Sequence, residues 1–435
     1  MRSIVFLFLF FLSHVLFGQT VYHTGSEDPV STDHLPGLVL AGGAGDNDEA
    51  MQWMLGRADG GDVVVLRANH SDGYNPYFYS ELDVAINAVT TIVIESKEHA
   101  NDPDVIETVS DAEVVFMAGG NQWNYVNDWR DTQLLETINQ LIHEKGITIG
   151  GTSAGMAVLG EVVFTAENNT VWSSEALSNP YHWRVKLEKG FLDVPFMEHT
   201  VTDSHYNRIH DDDMDRHGRH VAFMARMATD WDMPSRGIAA NEYTAIAVDE
   251  AGKARVFGEP GYDDYGFFLE QDGGAPEICE DGEPLTWDRD QQAIRVYKIK
   301  GDYEGSGWFN LANWWEGDGG EWQHWYVTDG ELHKSDADYT GLNDLSGNMP
   351  ELTLFPNPAS DRLTVIATPG DRDFAAAVPV TMTVLTMDGQ VLKQQQFDAL
   401  PDQPVSLDVS DFSSGLYILE LATDRHKTVR FWVKD

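Results

Sequence analysis

The sequence predicts an α/β domain built on a parallel sheet flanked by helices, followed by an irregular β appendage and a C-terminal all-β, sandwich-like domain. Three observations carry that expectation. Between Leu35 and Gly151, short runs that are apolar throughout alternate with polar, helix-compatible stretches, as expected of strands buried on both faces beneath crossover helices. From residue 261 Gly, Asp and Trp dominate, as in GWFNLANWWEGDGGEWQHWYV. After residue 351 apolar and polar residues alternate between turn signals.

A chain of 435 residues has room for two or three domains. Its start, MRSIVFLFLFFLSHVLFGQT, has a basic Arg2, an apolar run and a small Gly18, so residues 1–18 read as a secretory signal peptide. No other segment approaches the roughly 20 apolar residues of a spanning helix. The α/β domain is expected over 19–260. Its strand candidates are Leu38 to Ala41, Val63 to Arg67, Thr91 to Glu95, Glu113 to Ala118, Ile147 to Gly150, Val162 to Thr165, Phe196 to Val201 and Ala245 to Val248. Between the fourth and fifth, Leu134, Leu135, Ile138, Leu141 and Ile142 recur at helical spacing, and Lys145-Gly146 marks the helix end. Residues 261–335 form the Trp-rich extension, whose aromatics are expected to pack an appendage rather than to offer a sugar or peptide platform. Residues 336–350 read as a linker, and 351–435 as the β domain, with strands near Thr381 to Leu385 and Leu416 to Ala422.

The formal net charge is −43, from 71 acidic against 28 basic residues. A phosphate backbone would be repelled, so nucleic acid is not an expected partner. A single cysteine, Cys279, excludes an intrachain disulfide, and its acidic neighbours Glu280 and Asp281 disfavour a thiolate. Ala41-Gly42-Gly43-Ala44-Gly45 resembles a phosphate loop, yet no Gly-Lys-Ser/Thr follows it, and no nucleotide or other cofactor is expected.

In ITIGGTSAG, residues 147 to 155, a β-branched strand stops in small residues around Ser153. That arrangement turns a chain sharply while exposing a hydroxyl, as a nucleophile elbow does, although a plain tight turn fits these residues equally well. A serine needs a base and a third group to orient that base. HTVTDSHYNRIHDDDMDRHGRH supplies His205, with His182, His199, His210, His217 and His220 as rivals that position in sequence does not remove. Glu242, in a polar break before Ala245, is a candidate orienter, and a surface turn glutamate is the plainer alternative. The amides of Gly120 and Ala154 are the natural donors to an oxyanion. His210, Asp211, Asp213 and His217 are possible metal ligands, but no His-Glu-x-x-His and no cysteine accompany them, and no metal is expected.

Gly119-Gly120-Asn121-Gln122, Gly151-Thr152-Ser153-Ala154-Gly155, Asp203-Ser204-His205-Tyr206 with Arg216-x-Gly-Arg219, and Glu242-Tyr-Thr-Ala occur in one order. Over about residues 36 to 260 the chain thereby resembles the cyanophycinase and aspartyl dipeptidase family of serine peptidases. The resemblance implies a class I glutamine-amidotransferase-like fold with Ser153 as nucleophile, His205 as general base and Glu242 as its orienter. It further implies that Gln122, Asp203, Arg216 and Arg219 line the substrate pocket. Three departures bear on the substrate: Ser204 stands where cyanophycinases usually have Gln, Tyr206 replaces Phe, and an insertion, roughly Asn207 to Met214, separates His205 from the arginines. The expected activity is hydrolysis of cyanophycin to β-Asp-Arg dipeptides, with a dipeptidase for short Asp-containing peptides or a catalytically silent surface-binding protein as alternatives. LTLFPNPASDRLTV, MDGQVL and SSGLYILEL resemble a type IX secretion sorting domain, which implies the type IX machinery as a partner and a secreted or cell-surface location. Oligomeric state is left open, a homodimer included.

Overall fold

A computed structural model describes residues 20–68, 72–209, 215–336, 351–355, 359–368, 378–386, 391–399, 405–422 and 427–434. The signal peptide expected at 1–18 and all but the first residue of the linker at 336–350 lie outside them. The chain divides into two units, Met1–Ala337 and Asp338–Asp435.

The first unit is built on two sheets. In the first, Ala88–Val93, Asp62–Arg67, Val114–Met117, Thr148–Thr152 and Gly37–Ala41 lie side by side and parallel. These are the first five strand candidates, and the all-apolar reading holds because both faces are covered. Leu38 and Leu40 join one core, with Val105, Trp129 and Ile138 of flanking helices, while Val39 and Ala41 join another, with Met51, Met54 and Leu55 of helix Asp48–Gly56. Beyond Gly37–Ala41 the sheet turns antiparallel, through Ala245–Val248, Lys253–Phe257 and Trp308–Asn310.

The second sheet holds Thr200–Asp203 parallel to Arg236–Ala240, then Tyr265–Gln271, Ile294–Lys300, Gly320–Thr328 and Glu331–Asp336, all antiparallel. Residues 261–335 thus extend both sheets with regular strands. The strand expected at Phe196 to Val201 begins only at Thr200, because Phe196 and His199 take φ of +67° and +60° and cannot extend. The helix expected over Asp131 to Lys145 starts at Gln133, continues as a wider turn from Leu141 to Lys145, and stops where Gly146 has φ +72°.

The two sheets share a core. Ile238, Ala240, Phe268 and Ile299 of the second pack in the same cluster as Leu38, Leu40 and Ile246 of the first. On its other face the second sheet carries helix His217–Trp231 through Val201, Ala239, Phe223 and Met227. The tryptophans mostly serve this packing: Trp287, Trp314 and Trp325 are buried.

The second unit has a sheet of Glu351–Phe355, Arg362–Thr368 and Val405–Asp408 and another of Val391–Ala399, Val378–Thr386, Gly415–Ala422 and Lys427–Lys434, with Leu363, Val365, Met382, Val384, Leu407 and Leu419 in one core. That is the expected two-sheet β domain.

Phe268 ties the sheets of the first unit together, stacking on Phe309 with ring centroids 4.7 Å apart. Phe268→Ala removes a buried ring between two layers and is expected to cost about 3–5 kcal/mol, read as a lower urea midpoint in tryptophan fluorescence.

Candidate functional site

Strand ends build the site. Thr148–Thr152 stops at Ser153, which adopts φ +53° and ψ −109°, a conformation that costs a non-glycine residue free energy and lifts its side chain clear of the turn. Backbone bonds hold the turn: Ser153 N donates to Ala41 O at 2.9 Å, and Ala157 N to Ser153 O at 3.0 Å. Gly155 is required by close approach, since a Cβ there would lie 2.0 Å from Met117 O.

His205 arrives from the second sheet. Its φ is +49°, and its amide donates to Gly42 O at 2.8 Å. Its Nε2 stands 2.7 Å from Ser153 Oγ, and its Nδ1 stands 2.7 Å from Glu242 Oε1. Glu242 follows Arg236–Ala240, the neighbouring parallel strand, and is fixed by its amide donating to Asn207 Oδ1 at 3.0 Å and by Tyr243 N donating to Gly43 O at 2.9 Å. The strand end that resembled a phosphate loop therefore cradles an imidazole. At Gly43, φ is +91°, and a Cβ would meet His205 Nε2 at 2.7 Å and Ser153 Cβ at 2.9 Å, so only glycine leaves room for the serine–histidine contact.

Among the described residues, no other candidate histidine has a hydrogen bond to Ser153. His220 is buried between Tyr206 Oη and Val201 O, and His217 pairs with Asp215 at 2.8 Å. His210, Asp211 and Asp213 lie outside the described residues. Cys279 is buried, which raises its thiol pKa.

Burial lowers the pKa of His205, opposed by its bond to Glu242 and reinforced by the charges of Arg216 and Arg208. The ring is thus held neutral around neutral pH, ready to accept a proton through Nε2 while Glu242 accepts one from Nδ1.

Beside Ser153 and His205 opens a cleft of about 550 Å³ whose lining includes Gly120, Ala154 and Gln122. Asn121 accepts from Trp123 N at 3.1 Å and so fixes the helix start that carries Gln122, whose Nε2 donates to Phe164 O at 3.3 Å. Asp203 and Arg219 also border the cleft, yet they are spent largely on each other: Arg219 Nε donates to Asp203 Oδ2 at 2.8 Å and Nη2 to Oδ1 at 2.5 Å, with Nη1 on Thr170 Oγ1 at 2.7 Å. Burial alone would raise the Asp203 pKa, but the Arg219 guanidinium overrides it and holds the carboxyl below its ordinary range.

Arg216 differs. Its Nη1 donates to Ser204 O at 2.8 Å, Asp203 is 3.9 Å away, and its buried Nε has no partner among the described residues. Burial, and then the like charge of Arg219, pull its pKa down to about 9. A desolvated cation with an unused donor is suited to a carboxylate. Arg208 lines the cleft as well and forms no ion pair among the described residues. Sequence reasoning missed Arg208, which sits inside the stretch read as an insertion, and missed the role of Gly43.

Asp203→Asn would leave the Arg219 guanidinium buried without its counter-charge, at an expected cost of about 3–5 kcal/mol. Because the folded pKa of Asp203 is depressed, the stability it contributes is present above the ordinary aspartate range and lost as pH falls through the depressed value. Urea titrations from pH about 4 downward should therefore show a shallower acid loss in the variant than in the parent.

Comparison with known proteins agrees with the motif order. Residues 66–252 match the sequence model of Peptidase family S51, and residues 353–435 match that of the Secretion system C-terminal sorting domain. A cyanophycinase of Synechococcus elongatus is 26% identical over 245 residues, covering 53% of this chain and 70% of that one. A cyanophycinase of Geminocystis herdmanii (strain PCC 6308) is 37% identical over 114 residues, 26% of this chain and 38% of that one. Among solved structures, a peptidase from an acI-B1 Actinobacterium aligns over 53% of this chain and 93% of its own at 17% identity and a TM-score of 0.38. Residues 66–252 of this chain are accordingly similar to peptidase family S51, and residues 353–435 to a secretion system C-terminal sorting domain.

Proposed function

We propose that the chain is a secreted serine peptidase that cleaves cyanophycin, a poly-aspartate backbone bearing arginine on its side chains, to β-Asp-Arg dipeptides. The observation that carries this reading is the unbroken relay from Ser153 Oγ through His205 to Glu242, opening on a cleft that contains Arg208 and Arg216. His205 Nε2 takes the Ser153 proton as Oγ adds to the substrate carbonyl, and the amides of Gly120 and Ala154 receive the oxyanion. The imidazolium, steadied by Glu242, then protonates the leaving amine. Water, deprotonated by the same ring, hydrolyses the ester and restores the serine.

Arg216 and Arg208 supply the positive field for a substrate carboxylate in a protein that is otherwise strongly acidic. Arg219 and Asp203 shape the pocket floor instead. The cyanophycinase names of the relatives support the polymer as substrate. The sorting domain supports export through the type IX machinery to the surface or medium.

Digestion of cyanophycin by the parent should release β-Asp-Arg, identified by mass, and Ser153→Ala should lower the rate by at least about 10⁴-fold. Equal product from both would remove the mechanism, and preferential cleavage of short Asp-X dipeptides would move the assignment to an aspartyl-type dipeptidase. The acid limb of kcat/KM should titrate below the usual histidine value of about 6.5, because His205 must be neutral to act and its pKa is lowered. A limb centred above that value would contradict the role given to His205.

A further inference from the structure

The arginine with the free donor is held in place from a distant strand. Arg216 follows Asp215, whose carboxylate is gripped on three sides: His217 N donates to Oδ1 at 3.0 Å, His217 Nδ1 lies 2.8 Å from Oδ2, and Lys334 Nζ donates to Oδ2 at 3.2 Å. Ser173 Oγ donates to the Asp215 carbonyl and itself accepts from Arg219 N at 3.1 Å. Lys334 belongs to Glu331–Asp336, the last described strand of the first unit, and its ammonium lies 4.8 Å from the Trp325 ring centroid. His217 packs between Trp325 and Tyr206, with ring centroids 5.0 and 4.2 Å away.

We infer that Lys334 is a positioning residue for substrate binding: by fixing the Asp215 carboxylate to the edge strand Glu331–Asp336, it holds the Arg216 guanidinium at the wall of the cleft, where a substrate carboxylate would bind. Two features support this. Asp215 immediately precedes Arg216, the residue that caps helix His217–Trp231, so a restraint on its carboxylate acts directly on the backbone that carries the arginine. Arg216 is otherwise anchored by its amide on Tyr206 O at 3.3 Å, by Nη1 on Ser204 O, and by its carbonyl accepting from His220 N at 3.2 Å at the start of helix His217–Trp231. Lys334 adds a restraint from the edge strand, acting through the residue just before that cap. A strand at the far end of the unit, more than one hundred residues from the arginine, thereby becomes part of the carboxylate subsite.

The inference rests on the proposed role of Arg216 in binding, and its test separates the two. Parent, Lys334→Met and Lys334→Arg are compared in cyanophycin hydrolysis, in calorimetric binding of β-Asp-Arg, and in labelling of Ser153 by a sulfonyl fluoride. Lys334→Met should raise KM and weaken dipeptide binding about tenfold, as expected for loss of a hydrogen bond to a charged group, with kcat and labelling rate kept, and Lys334→Arg should restore both. Unchanged KM and binding in Lys334→Met overturn the inference while leaving the peptidase reading intact. A parallel fall in kcat and labelling shows a merely structural role and also overturns it. A parent that binds the dipeptide but does not cleave the polymer sinks the peptidase reading alone, and weaker binding in Lys334→Met then still upholds the positioning role. A parent that neither binds the dipeptide nor cleaves the polymer sinks both.

Discussion

The contact on which the site depends is the 2.7 Å approach of His205 Nε2 to Ser153 Oγ across a glycine. It joins two sheets. Ser153 ends a strand of the first and His205 follows a strand of the second, so nothing local holds them together. What does is a set of main-chain bonds to one loop: Ser153 N to Ala41 O, His205 N to Gly42 O and Tyr243 N to Gly43 O. Three segments separated by scores of residues take their positions from the carbonyls of Ala41, Gly42 and Gly43, and the missing side chain at Gly43 is the space in which serine and imidazole meet. Backbone carbonyls on a rigid strand end are a more exact reference than side chains, which is what a proton relay requires.

The electrostatics follow from burial. Asp203 and Arg219 are both almost wholly enclosed, and each makes the other tolerable, so together they contribute shape but little net field. Arg216 is enclosed but reaches the same carboxylate only at 3.9 Å, and Arg208 forms no ion pair among the described residues. In a chain of net charge −43 the cleft is therefore a local exception. The same cations, with desolvation, keep His205 neutral, so the arrangement that attracts an acidic substrate also keeps the base unprotonated.

The extension at 261–335 shows how a composition shift can mislead about architecture. Gly and Asp residues such as Gly282 and Asp329 occupy turns, but its tryptophans and alternating apolar positions build strands that lengthen both sheets, and cations lie over several of the rings, with Arg236 over Trp314 and Arg295 over Trp315. The shared core around Phe268 and Phe309 makes these strands part of the unit that carries the site.

What the sequence determined by itself was local. All-apolar runs marked the five parallel strands because burial on both faces leaves no polar alternation, and Gly146 marked a helix end because its φ is positive. The motifs around Gly120, Ser153, His205 and Glu242 named the residues that the fold brings to one cleft. Only the tertiary structure decided which strands share a sheet, since an apolar run records that it is buried and not against what. It also decided that His205 meets the serine, that the first glycine turn lies against that imidazole, and that Arg219 grips Asp203 with two donors while Arg216 stands 3.9 Å from it. Those outcomes depend on contacts between residues far apart in the chain, and no periodicity or spacing encodes the distance between them.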